Sequence, residues 1–112
     1  MFKGRLNEKR ALCNLEKAFK EVKAYAPNSK DDKLGFDGRF LTSTGVPCRY
    51  QVKSSLYHCK QFMLHAAWQR IKDFTALILV QGSDITFIHM PERLKVDLPR
   101  LKRIRCIRTN QA

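Results

Sequence analysis

The sequence predicts an α/β domain ordered as helix, three strands, helix and two strands, closed by a basic tail. Three observations predict it: apolar residues at helical spacing near the start and again after Leu56, an unbroken apolar run at Thr75 to Gln81, and short alternating segments between polar turns. At 112 residues the chain suits one domain with its own core and is short for two.

From Lys3 to Val22, the residues Leu12, Leu15, Phe19 and Val22 recur at helical spacing among Lys and Arg, predicting an amphipathic first helix. Glu8 lies four residues before Leu12 and so extends the apolar stripe; an acid in a first turn also complements the helix dipole. Glu21 to Ala26 reads as a short strand ending at Pro27, and residues 28–33 as a polar loop. Leu34 to Leu41 and Pro47 to Ser54 read as a strand pair joined through Thr42-Ser43-Thr44-Gly45-Val46. Alternation sets Phe36 and Phe40 on one face of the first strand, opposite Asp37 and Arg39. It sets Gln51 and Lys53 together on the second, opposite Tyr50 and Val52. Asp37 should then lie across the hairpin from Gln51 or Lys53.

Ser54 or Ser55 is suited to cap a second helix from Leu56 to Asp73, with Cys59, Phe62, Met63, Ala66, Ala67, Ile71 and Phe74 on its apolar stripe. Trp68 is assigned to the core or a dimer surface. Thr75 to Gln81 is a buried strand, and Gly82-Ser83-Asp84 turns the chain into a strand from Ile85 to His89. Residues 92–112 form a basic segment of the single domain, in which Arg93, Lys95, Arg100, Lys102, Arg103, Arg105 and Arg108 alternate with Leu94, Val96, Leu98, Leu101, Ile104 and Ile107. Apolar residues so spaced should pack onto the domain and leave the bases facing phosphate or solvent.

Lys and Arg number 22 against 10 Asp and Glu, a formal net charge of +12, which favours a polyanionic partner. No apolar run approaches the roughly 20 residues of a membrane span. Met1-Phe2-Lys3-Gly4-Arg5 shows no signal-peptide apolar region, and the expected compartment is intracellular. Cys13, Cys48, Cys59 and Cys106 form no C-x-x-C pair and read as reduced thiols; His58, Cys59 and His65 match no usual structural-zinc spacing.

Lys3-Gly4-Arg5-Leu6-Asn7-Glu8, Phe36-Asp37 and Gln51-Val52-Lys53 together resemble the first, second and (D/E)xK motifs of the PD-(D/E)xK nuclease superfamily, over about Lys3 to Pro91. The sequence departs from the pattern at Phe36, where proline is common, and at Gln51, where an acid is usual. The Q-x-K form is similar to that of a subset that includes a cyanobacterial-type homing endonuclease. The resemblance implies a restriction-endonuclease-like core, a central mixed sheet flanked by helices in the order α-β-β-β-α-β-β, and a Mg²⁺- or Mn²⁺-dependent DNA endonuclease of resolvase-like or homing-endonuclease-like type. Asp37, Glu8, Gln51 and Lys53 would be catalytic, and Asp37, Glu8, the Gln51 amide oxygen and the Val52 carbonyl would hold the metal. Gln61 resembles a helix glutamine of exonuclease-like relatives, and His58 is a lesser candidate for a base.

Arg39, Arg49, Ser54, Lys60, Arg100, Lys102, Arg103 and Arg105 are the expected nucleic-acid contacts. A homodimer or higher assembly is expected because two strands need two sites, with no membrane partner. The setting implied is cytoplasm or nucleoid, a viral or mobile-element source being compatible. The alternative function is a basic nucleic-acid-binding module whose nuclease site has decayed at Gln51.

Overall fold

Helix α1 (Lys3–Glu16) opens the computed structural model, which describes residues 3–26, 30 and 36–110. Strands β1 (Lys20–Ala24), β2 (Gly38–Leu41) and β3 (Pro47–Lys53) follow. Helices α2 (Leu56–Leu64) and α3 (Ala66–Ile71) lead to β4 (Thr75–Gln81) and β5 (Asp84–His89). A 3-10 helix (Glu92–Asp97), a single turn α4 (Leu98–Leu101) and β6 (Ile107–Thr109) complete the chain. The strands form one mixed sheet in chain order. The β1–β2, β2–β3 and β4–β5 pairs are antiparallel, and β3–β4 and β5–β6 are parallel.

A parallel β3–β4 pair needs a crossover, and α2 with α3 supplies it on one face of the sheet. Helix α1 covers the other face. Alternation along β4 therefore buries both of its sides: Ala76, Ile78 and Val80 join the core under α1, while Leu77 and Leu79 join Cys59 and Trp68 under the crossover helices. Tyr50 and Val52 of β3 fall in the first core, as their alternation requires. Gln51 and Lys53 pair in register with Leu77 and Leu79 and share the crossover face.

Several boundaries differ from the sequence expectation. Helix α1 stops at Glu16 instead of running to Val22, because the chain reverses through Ala18 and Phe19, whose N–H groups both bond the Leu15 carbonyl (3.0 and 2.9 Å). That reversal stacks Phe19 on Phe40, with ring centroids 4.2 Å apart. The buried stripe of α1 is consequently Ala11, Asn14 and Leu15, and Glu8 lies one turn before Ala11 on the same line.

The single helix expected from Leu56 to Asp73 breaks at His65, whose backbone is extended (φ −73°, ψ 143°). The break brings Phe62 and Trp68 edge to face at 5.6 Å and sets Trp68 against His89 at 4.9 Å, leaving Ala66 and Ala67 exposed. Ser55 is the cap, its Oγ accepting the His58 N–H at 3.2 Å.

Strand β2 begins only at Gly38, and residues 31–35 of the longer expected strand lie outside the described residues. Phe36 and Phe40 do not share a face. Phe40 packs in the α1 core against Tyr50, whereas Phe36 meets Phe74 and the Arg49 guanidinium on the other side. The chain bends between them because Gly38 passes against Tyr50; a Cβ there would collide with the Tyr50 hydroxyl and the Lys23 carbonyl.

Residues 92–110 are part of the domain, with Leu94, Leu101 and Ile107 buried in the α1 core and β6 extending the sheet, a strand that the basic composition of the tail conceals. No helix among the described residues is long and apolar enough to cross a membrane.

Candidate active site

At the β2 end nearest Gly38 the sheet loses regular pairing, and Asp37 takes over its hydrogen bonds. The Asp37 N–H donates to the Tyr50 carbonyl (2.9 Å), its carbonyl accepts from Tyr25 (2.8 Å), and its Oδ2 accepts the Val52 N–H (2.7 Å). Asp37 thus stands one residue before the Gly38–Tyr50 pair, tied to the backbone of Tyr50 and Val52. In purely structural terms the carboxylate finishes the β3 ladder, replacing the carbonyl that β2 no longer offers.

That role leaves a second feature unexplained. The Glu8 carboxyl, projecting from α1, lies close enough to Asp37 to act on its ionisation. Burial pushes Asp37 up to about 7; the Val52 N–H opposes this, the nearby Glu8 carboxyl raises it further, and Lys53 lowers it. Two carboxyl groups brought close together need a proton or a cation between them.

Glu8 and Lys53 face each other across a cleft of about 240 Å³, walled also by Asn7, Val52, Ser54 and His58. The Lys53 ammonium lies 4.7 Å from the centre of the Phe62 ring, which limits the positions it can take. Ser55 Oγ holds His58 Nδ1 at 2.7 Å, so that the imidazole is oriented at the cleft edge. Asp37 adjoins this cleft through Glu8 without forming its wall. Gln51 does not line it either: the side chain is 7% exposed, and its Oε1 meets no hydrogen-bond donor among the described residues. No three His, Cys, Asp or Glu side chains gather at one point among the described residues.

The expected nucleic-acid contacts divide by location. Ser54 lies in the cleft wall and Lys60 is exposed on α2. Arg39 and Arg49, direct partners across β2–β3, share a second cavity with Arg93. Lys102, Arg103 and Arg105 are exposed. Arg100 departs from its expected role: it binds the Ala18 carbonyl, pairs with Asp97 at 3.0 Å and lies 5.3 Å over Phe19, bracing the tail against the α1–β1 turn. Asn7 carries no signal in the sequence, because a polar residue in a first turn has no distinctive spacing. Arg93 stands there as one base among many in the tail.

The cysteines are free thiols, and burial pushes Cys48 up to about 12 and raises Cys59, which makes both poor nucleophiles. The chain matches no family model, no curated protein and no solved structure.

Proposed function

We propose that the protein is a metal-dependent DNA endonuclease built on a restriction-endonuclease-like core. The observation that carries this reading is the carboxyl pair: Glu8 of α1, which shares a cleft with Lys53 at the end of β3, acts on the ionisation of Asp37 just before β2, in a chain of net charge +12. The order helix, three strands, helical crossover and parallel strand also supports it.

The residues fit a hard divalent cation. The candidate donors are oxygens, the Glu8 carboxyl is near enough to Asp37 to act on its ionisation, and Gln51 Oε1 is a buried acceptor with no donor among the described residues. Glu8, Asp37, Gln51 and the Val52 carbonyl would hold Mg²⁺ or Mn²⁺, which when bound supplies Lewis-acid stabilisation of charge on the phosphate. Lys53 places an ammonium at the cleft for a phosphate oxygen and lowers the cost of developing negative charge there. His58, held by Ser55, orients water at the rim. Double-strand cleavage requires two such sites, and the α2 face bearing Tyr57 (66% exposed) and Leu64 (79%) is the apolar surface for a homodimer.

Supercoiled plasmid nicking in Mg²⁺ or Mn²⁺ tests the reading. Wild-type protein should nick; Asp37→Ala and Lys53→Ala should each slow nicking by at least about a hundredfold, as removal of a transition-state interaction does. Asp37→Ala should still bind DNA. Wild-type rates in both variants would exclude this site.

A second reading is favoured by Gln51. An amide where the motif carries an acid, buried with an unmet oxygen, suits a decayed site in a basic nucleic-acid-binding module. Binding without nicking in either metal would select it.

A further inference from the structure

A cavity of about 330 Å³ lies beside β2 and β3, walled by Tyr25, Arg39, Pro47, Arg49, Phe74 and Arg93. Three guanidinium groups meet there by construction. Arg39 and Arg49 are Cα partners in the antiparallel pair, which places their side chains on one face about 5 Å apart at Cβ.

The groups are also held in place. Arg49 lies 4.4 Å over Phe36 and 5.7 Å from Phe74, and Arg93 lies 6.0 Å from the same Phe74 ring while donating to the Pro47 carbonyl at 2.9 Å. Stacking on aromatic faces fixes the guanidinium planes, the arrangement that planar, bidentate recognition of phosphate requires.

We propose that this arginine cavity is a phosphate-binding site for the backbone of a nucleic acid, separate from the carboxyl pair. It requires no cleavage and stands if the nuclease reading fails. Arg49 shares its face of β3 with Gln51 and Lys53, four residues along, so the two sites are separated by roughly 13 Å of strand.

The test measures binding of a labelled oligonucleotide, without divalent metal, to the full chain carrying Asp37→Ala so that no cleavage intrudes. Adding Arg39→Ala and Arg93→Ala together should weaken binding by roughly 10–100-fold, the effect of removing charged hydrogen bonds, and flatten the salt dependence by about one unit of slope for each phosphate no longer neutralised. Arg39→Lys with Arg93→Lys keeps the charge and the fold; it should retain most of the salt slope and still bind several-fold more weakly, because ammonium groups cannot supply the planar fork. If the alanine pair fails to fold, the lysine pair decides the matter: wild-type affinity in it overturns the site. An equal weakening from Lys20→Ala with Arg70→Ala, exposed bases assigned to neither site, would reduce the effect to net charge and also overturn it. A 5′-phosphorylated and a 5′-hydroxyl oligonucleotide then distinguish the sources. Equal binding of the two supports the internal diester proposed, whereas a preference for the first assigns the cavity to a terminal monoester and overturns the backbone assignment.

Discussion

Asp37 carries two demands with one carboxyl group. Its bond to the Val52 N–H at 2.7 Å favours the ionised form, yet burial and Glu8 outweigh it and hold the group near 7 instead of its usual 3.8. The folded protein therefore binds more protons than the unfolded chain between about pH 4 and pH 7, and stability must fall as pH rises through that window. Thermal or urea unfolding of metal-free protein should show this decline, with a slope of at most about 1.4 kcal/mol per pH unit for one proton. Asp37→Asn should flatten it. A divalent cation should reverse it, because metal displaces the proton held at Asp37 and binds only the folded site. Asp37 and Lys53 are visible in the sequence through a period of two and a turn. The approach of Glu8 to Asp37 is foreshadowed only by the place of Glu8 on the α1 stripe, since helix and strand are brought together by the fold. The burial of Gln51 is not legible in the sequence, for alternation assigns a face and not a depth.

At the scale of elements, Gly38 shows how local packing positions chemistry. The sequence reading places Gly38 inside a strand without assigning it a role, but the glycine is needed where β2 passes against Tyr50 and the Lys23 carbonyl. Gly38→Ala should cost about 3 kcal/mol or more, the upper range for overpacking, measured by urea unfolding. Tyr50→Phe in the same chain should recover only part of that stability, since the carbonyl clash stays. Strand β4 is the most legible element, because seven residues, six of them buried, leave an unmistakable apolar run. The helix break at His65 is hidden: alanines at 66 and 67 suit the stripe of a continuous helix, and only Trp68's need to reach His89 and Phe62 requires the kink.

Across the whole molecule, charge conceals structure. The C-terminal bases suggest a nucleic-acid arm, while Leu94, Leu101 and Ile107 fill the α1 core and Asp97, held below its usual range as bonds from Ser43 and Arg100 outweigh its burial, ties the tail to the β2–β3 hairpin. Ending the chain after Pro91 should abolish cooperative unfolding, because burial of several large side chains, each contributing about 1.5–3 kcal/mol, exceeds the margin of a small domain. Circular dichroism melting checks this; a retained sharp transition would make the tail an accessory.

The α/β class and the hairpin follow from period and turn residues. The sixth strand and the arginine cavity depend on contacts between distant segments, which no local pattern encodes. Arg49 and Lys53 share one sheet face, and the proposed catalysis rests on the cluster of Glu8, Asp37 and Lys53. The most direct measurement is plasmid cleavage by chelator-treated protein as Mg²⁺ is restored, for wild type, Asp37→Asn and Gln51→Glu. Cleavage should be absent without the cation, return saturably in the wild type, stay absent in Asp37→Asn, and reach half-saturation at roughly tenfold lower Mg²⁺ in Gln51→Glu, where a carboxylate replaces an amide oxygen. Cleavage that survives chelation, or that persists unchanged in Asp37→Asn, would contradict a metal-dependent site at Asp37.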